Sequence, residues 1–211
     1  MDWIGFFTVF GILFLAELGD KTQLMVFNLS LEYKKSFKVA VGSILGFGLI
    51  ITLGILLGEI ITSFIPLSLI TTISGILFLL LGLIGIKDLK TLYQEYIGKK
   101  QKVGKSEQES EIPLPDTTSK FSKIRDNPYL VSFSLIFLME LGDKSQILTI
   151  TLASIYPNPI EVWIGAILAL SLLTLMGAYF GDFISRLIPK FHLKIFSIAI
   201  FVIIGIVVII T

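Results

Sequence analysis

Two copies of one short polar motif interrupt an otherwise apolar chain: Glu17-Leu18-Gly19-Asp20-Lys21-Thr22-Gln23 and Glu140-Leu141-Gly142-Asp143-Lys144-Ser145-Gln146. Each brings two carboxylates, an ammonium, a hydroxyl and an amide together. Carboxylate, hydroxyl and amide oxygens are hard ligands, suited to Ca²⁺, Mn²⁺ or Mg²⁺. The chain has no cysteine, and its single histidine, His192, stands far from both motifs, so copper and zinc lose their usual ligands. The candidate metal-binding residues are therefore Glu17, Asp20, Thr22 and Gln23 of the first copy and Glu140, Asp143, Ser145 and Gln146 of the second. Four carboxylates against Lys21 and Lys144 leave a formal charge of −2, which one divalent cation would neutralise. Buried carboxylates can also hold protons when the metal leaves, which supplies a plain chemistry for cation/proton exchange.

Spacing sharpens this reading. Glu and Asp three positions apart lie on one face of a helix, and the glutamine three further on continues it. Gly19 and Gly142 sit between the acids, where a missing side chain permits either close helix approach or local unwinding that frees backbone carbonyls. Lys21 and Lys144 serve either as fixed counter-charges or as competitors that weaken the metal enough for release. A purely structural alternative pairs Glu17 with Lys21 and Glu140 with Lys144 along each helix. Burying ion pairs is a poor route to stability, which argues against that alternative.

The elements that position these groups are membrane helices. Of 211 residues, 54% are apolar and 16% charged, against about 25% charged in ordinary soluble domains. A bilayer core needs about 20 mostly apolar residues per helix, and six such stretches are legible, at 3–29, 39–61, 67–86, 129–155, 162–183 and 195–210. The expected fold class is all-α integral membrane. An ionisable residue at a helix centre costs roughly 3 kcal/mol when it faces lipid, so the motif residues must turn inward and meet one another.

Shifting the chain against itself by 123 positions superposes the two motifs and carries Gly42 onto Gly165, Gly54 onto Gly177, Gly58 onto Gly181, Glu59 onto Asp182, Pro66 onto Pro189 and Gly82 onto Gly205. A fixed offset over that length marks an internal duplication. The expected organisation is a first three-helix repeat at 1–86, a charged linker at 87–127 and a second repeat at 128–211. Three helices per repeat invert the second copy. Fifteen of the seventeen basic residues fall in the segments after helices 1, 3 and 5, none in the alternate segments or at the termini. The positive-inside rule then places the linker in the cytoplasm and both termini outside. Inverted repeats of this kind hold substrate near the midplane, at their interface. Glu59 and Asp182, near opposite ends of helices 2 and 5, are candidates for the access paths. The paired glycines read as close helix contacts, Pro66 and Pro189 as starts of the third helix of each repeat, and Trp3, Tyr156 and Trp163 as interfacial residues.

The doubled Glu-x-Gly-Asp-(Lys/Arg)-(Thr/Ser) in two hydrophobic halves resembles the Gdt-type calcium/manganese:proton antiporter family, which includes the Golgi manganese transporter and bacterial manganese exporters. The resemblance covers essentially the whole chain. It implies that the acids bind the transported cation, that Mn²⁺ or Ca²⁺ moves against protons, and that the chain is not an enzyme. No cofactor is expected beyond the transported ion, and the partners are the metal, protons and the lipid bilayer; a homo-oligomer is left open. The net charge of +1 suggests no nucleic-acid partner. Two other functions are weaker. An exporter of small organic cations or amino acids would want apolar or aromatic lining beside the acids. An intramembrane aspartyl hydrolase built on Asp20 and Asp143 would need one carboxyl kept protonated, against the adjacent lysines. Without a basic n-region before it, the first apolar stretch is expected to be a retained helix, and without an organelle-targeting leader the chain is expected in a prokaryotic plasma membrane.

Overall fold

The computed structural model describes residues 3–101, 127–156, 158–187 and 190–210, and among these it contains helices and no strand. In chain order they are α1 (Trp3–Glu17), α2 (Lys21–Tyr33), α3 (Ser36–Phe64), α4 (Leu67–Gln101), α5 (Pro128–Glu140), α6 (Lys144–Ile155), α7 (Pro159–Leu187) and α8 (Lys190–Ile210). Local chemistry explains several boundaries. Asn127 caps α5 by accepting the Tyr129 N–H at 3.1 Å, with Pro128 in the first turn, where its missing N–H costs nothing. Pro66 directly precedes α4, and its carbonyl accepts from the Leu69 and Ile70 amides. Lys34, at φ 51°, closes α2 in the left-handed conformation and turns the chain into α3.

The surface carries the mark of a membrane protein. Large apolar side chains such as Phe7, Leu45, Ile60, Ile73, Leu83, Leu138, Phe180 and Ile203 are exposed, while Val9, Leu13, Ile51, Phe78, Ile136 and Leu148 fill the interior. Water does not tolerate so extended an apolar exterior, whereas lipid covers it without cost. By length and composition, α3 and the stretches Leu67–Ile86 and Pro159–Phe180 can each cross a bilayer; Gly5–Glu17, Pro128–Glu140 and Ile198–Ile210 are shorter apolar helices.

Two expectations change here. The stretches 3–29 and 129–155 are each two helices, split at Leu18-Gly19-Asp20 and Leu141-Gly142-Asp143. The third stretch does not stop at Ile86 but stays helical to Gln101, because hydropathy registers where lipid ends rather than where a helix does. Residues 102–126 of the expected linker, and Pro189, lie outside the described residues, as do the side chains of Asp182 and His192.

The halves pack on each other through glycines, and these contacts repeat at the 123-residue shift. A Cβ on Gly42 would run into the Tyr129 carbonyl and Ser132; one on Gly165 would lie 3.0 Å from the Phe6 carbonyl, beside Val9. Likewise Gly54 meets Thr149 and the Gln146 carbonyl, and Gly177 meets the Gln23 carbonyl at 3.0 Å. Adding 123 to Phe6, Val9 and Gln23 gives Tyr129, Ser132 and Gln146. Direction follows from the order of contacts. Rising along α3, Gly42, Gly46, Gly54 and Gly58 face rising positions of α5 and α6, so α3 runs parallel to them. Gly75 instead faces Gly205 and Ile209 while Gly82 faces Val202, so the equivalent helices α4 and α8 run antiparallel.

Candidate functional site

Each motif is a helix break. α1 ends at Glu17 and α2 starts after Asp20; Gly19 between them has φ 77°. The second copy reproduces this, with Gly142 at φ 81° between Glu140 and Asp143. Left-handed backbone disfavours any residue with a Cβ. A Cβ on Gly142 would meet nothing, so the backbone angle alone calls for glycine there. The break is tightened by Asp20 N–H donating to Glu17 O at 3.2 Å and Asp143 N–H to Glu140 O at 3.1 Å.

The glutamines repair the interrupted ladder. Gln23 Nε2 donates to the Glu17 carbonyl at 3.0 Å, and Gln146 Oε1 accepts from the Gly142 amide at 2.7 Å. The aspartates stand at the N-termini of α2 and α6, where unpaired amides favour negative charge. Glu and Asp of one copy thus straddle a break and do not share a continuous helical face as their spacing suggested. A positive-φ glycine between them redirects the chain and cancels the i, i+3 relationship.

The break also redirects the lysines. Neither forms the bridge to the glutamate four residues earlier that helical spacing suggests; both reach into the other half. Lys144 Nζ lies 3.1 Å from Asp20 Oδ2 and 3.6 Å from Glu17 Oε1, and donates to the Ala16 carbonyl at 3.2 Å. Lys21 Nζ is 3.8 Å from Asp143 Oδ2, with its side chain 59% exposed, against 17% for Lys144. Glu140, fully buried, accepts from Thr22 Oγ1 of the other half at 2.7 Å and from Ser145 Oγ. Glu17, Asp20, Thr22 and Gln23 line a small cavity, closed on its other side by Phe47, Leu170 and Thr174.

All eight candidate ligands and both lysines therefore belong to one cluster between the halves or to the breaks that form it. Among the described residues no three acidic or histidine side chains stand together as a ready metal-holding group; Lys144 is inserted between Glu17 and Asp20, and hydroxyls occupy Glu140. Glu59 is exposed near the end of α3, and it is not among the cavity-lining residues. Three participants escaped the sequence reading. Thr174 lines the cavity while its hydroxyl bonds back to the Leu170 carbonyl at 2.7 Å. Phe201 lies under Lys144, its ring centroid 5.6 Å from Nζ, and Phe78 stacks on Phe201 with centroids 6.2 Å apart. The 123-residue shift also carries Phe78 onto Phe201, a signal hidden by the abundance of apolar residues around both.

Discontinuous helices whose ionisable groups meet inside a helical bundle with an apolar exterior are an arrangement in which membrane transporters hold ions. The chain belongs to the GDT1 family of divalent cation/proton antiporters, whose family model matches residues 5–92 and 128–211. It is thus a member of a transporter family, not an enzyme. It is 26% identical over 220 residues to a GDT1-like protein of Schizosaccharomyces pombe, covering 90% of this chain and 83% of the relative. It is 29% identical to the GDT1-like protein sll0615 of Synechocystis, covering 83% and 82%. With the chloroplastic PAM71-homolog of Arabidopsis thaliana it shares 31% identity over 86% of this chain, which spans about half the length of that relative, 54%. No solved structure matches the chain significantly.

Proposed function

We propose that this chain exchanges Mn²⁺ or Ca²⁺ for protons through the cluster formed by its two broken-helix motifs, held near the membrane midplane by six crossings arranged as two inverted three-helix repeats. The observation that carries the reading is the crossing of contacts between the two motifs: Lys144 of the second lies against Glu17 and Asp20 of the first, Lys21 of the first approaches Asp143 of the second, and Thr22 of the first donates to Glu140 of the second. Glu17, Asp20, Glu140 and Asp143 are the metal ligands in this reading, with Thr22, Ser145, Gln23 and Gln146 as neutral oxygen donors. Hard oxygen donors suit Mn²⁺ and Ca²⁺. The antiparallel run of α4 and α8, and the contacts exchanged at the 123-residue shift, support the inverted arrangement. The one-sided distribution of basic residues supports a cytoplasmic linker and outward termini.

Purified protein in vesicles with an imposed pH gradient tests the exchange. Mn²⁺ or Ca²⁺ uptake should follow the gradient and collapse when a protonophore dissipates it. Uptake indifferent to the gradient would replace antiport with a uniport mechanism.

A further inference from the structure

Equivalent residues of the two halves share a backbone but not their surroundings. Gly19 and Gly142 differ by only a few degrees in φ, at 77° and 81°, and the backbone hydrogen bonds from Asp20 to Glu17 and from Asp143 to Glu140 match. The side chains do not match. Lys144 is drawn in over Phe201 and bridges Glu17 and Asp20, whereas its counterpart Lys21 is largely exposed. Glu140 has a hydroxyl on each oxygen, from Thr22 and Ser145, while Glu17 Oε1 faces the Lys144 ammonium and accepts no hydrogen bond.

The stacked rings sit where the repeat symmetry crosses itself. Phe78 on α4 and Phe201 on α8 exchange under the 123-residue shift, both are buried, and their planes lie within 16° of parallel. A ring face attracts an ammonium, most strongly where water is excluded. Phe201 has such a cation, and the lysine equivalent for Phe78 is Lys21.

We propose that Phe201 and Phe78 are alternate seats for the two lysines: Lys144 rests on Phe201 in the arrangement seen here, and Lys21 on Phe78 in its mirror image. In the mirror, Lys21 bridges Glu140 and Asp143 and donates to the Met139 carbonyl, the equivalent of Ala16. The hydroxyls make the two arrangements exclusive, because each has one proton to donate: Thr22 and Ser145 both donate to Glu140 here, and in the mirror both donate to Glu17, whose Oε1 accepts no hydrogen bond in the arrangement seen. A tethered ammonium thereby fills whichever half of the cluster holds no metal, and the rings are positioning residues for it. This role rests on the exchange reading above, but the seats are measurable without metal.

The test is amine labelling of metal-free purified protein at fixed pH, quantified for Lys21 and Lys144 by peptide mass spectrometry. In the wild type Lys144 should label more slowly than Lys21. Phe201→Leu should raise the Lys144-to-Lys21 labelling ratio by about tenfold, the scale of one desolvated cation–π contact, with Lys21 falling as Lys144 rises. Phe78→Leu should leave Lys144 protected and Lys21 reactive. A packing role alone would lower the melting temperature in both variants without reciprocal labelling, and an unchanged ratio in Phe201→Leu overturns the proposal. Should Phe201→Leu not fold, Lys21→Gln serves: removing the competing lysine should slow Lys144 labelling further, and unchanged or faster labelling counts against the seats. Metal-coupled proton flux in the wild type is measured separately. Its absence would sink the exchange reading while leaving the labelling result to stand or fall alone.

Discussion

Lys144, from the second copy of the motif, lies 3.1 Å from Asp20 of the first, closer than it lies to Glu17 at 3.6 Å. The charge that belongs to one half therefore closes the site of the other. Neutralising Asp20 should then do more than delete one ligand. Asp20→Asn and Asp143→Asn should each reduce Mn²⁺ or Ca²⁺ transport to the level of empty vesicles while the protein remains folded and inserted, because the amide keeps the carboxylate's shape. Uptake at the wild-type rate in both variants would rule out the cluster as the transport site.

Glu140 is fully buried and its two oxygens depend on two hydroxyls. Leaving a buried acceptor without its hydrogen-bond partner costs about 1–3 kcal/mol. Thr22→Val and Ser145→Ala should each lower the melting temperature in detergent, and the two should be strongly coupled. In a Glu140→Gln background the same substitutions should cost much less. Equal losses in both backgrounds would mean that the hydroxyls serve packing and not the carboxylate.

Gly142 and Gly205 separate two reasons for glycine. Gly142→Ala places a Cβ in open space but forces a left-handed alanine, a cost of about 1–2 kcal/mol. Gly205→Ala keeps helical angles but drives a Cβ to 2.9 Å from the Gly75 carbonyl at the α4–α8 crossing. Backbone cannot yield as a side chain can, so Gly205→Ala should be the more destabilising in thermal melts. Gly142→Ala should instead be the more damaging to transport, since the break it deforms holds Glu140 and Asp143. The reverse ranking in either assay would refute this division.

Particular residues show how far the sequence speaks. The duplication was legible because Glu17 through Gln23 return 123 positions later, and a repeated polar motif stands out against an apolar background. The inward turn of Glu17 and Glu140, both buried, is what the cost of charge in lipid demands. Their true partners were not legible. Helical spacing pairs Glu17 with Lys21, but Gly19 adopts φ 77° and the helix ends between them, so Lys21 and Lys144 answer to the opposite half. Spacing rules hold only while the helix does. Phe78 and Phe201 carried the same offset as the motif, yet an apolar residue in a membrane helix is what lipid demands anyway, and its second role emerges only from the Lys144 contact. The extension of α4 to Gln101 was missed for the converse reason, since a helix leaving the bilayer turns polar without unwinding.

The proposed topology makes a direct prediction. A cysteine introduced as Lys105→Cys should react with an impermeant maleimide only after permeabilisation, whereas Thr211→Cys should react in intact cells. The motivation is the fifteen-to-none bias of basic residues between alternate segments. Labelling of position 105 in intact cells would reverse the orientation and with it the assignment of the two access sides.

Metal binding should release protons, and the release should need both halves. The cluster holds four carboxylates and two ammonium groups, a formal −2. An interior of low dielectric does not sustain that imbalance. Without metal, protons must restore the balance; with a divalent ion bound, the ion does so and the protons leave. The halves are not independent in this, because Lys144 of one half bridges Glu17 and Asp20 of the other while Thr22 of the first donates to Glu140 of the second, so a change on either side redistributes charge across both. Adding Mn²⁺ or Ca²⁺ to protein in weak buffer should therefore acidify the solution, and an equal ionic strength of a monovalent salt should not. Glu17→Gln and Glu140→Gln should each weaken binding and diminish the release, even though they lie in different repeats. Calorimetry in buffers of different ionisation enthalpy reads the proton count directly from the slope of apparent heat against buffer enthalpy. A zero slope at every pH at which the protein transports would show metal binding without proton exchange, and antiport through these acids would have to be given up.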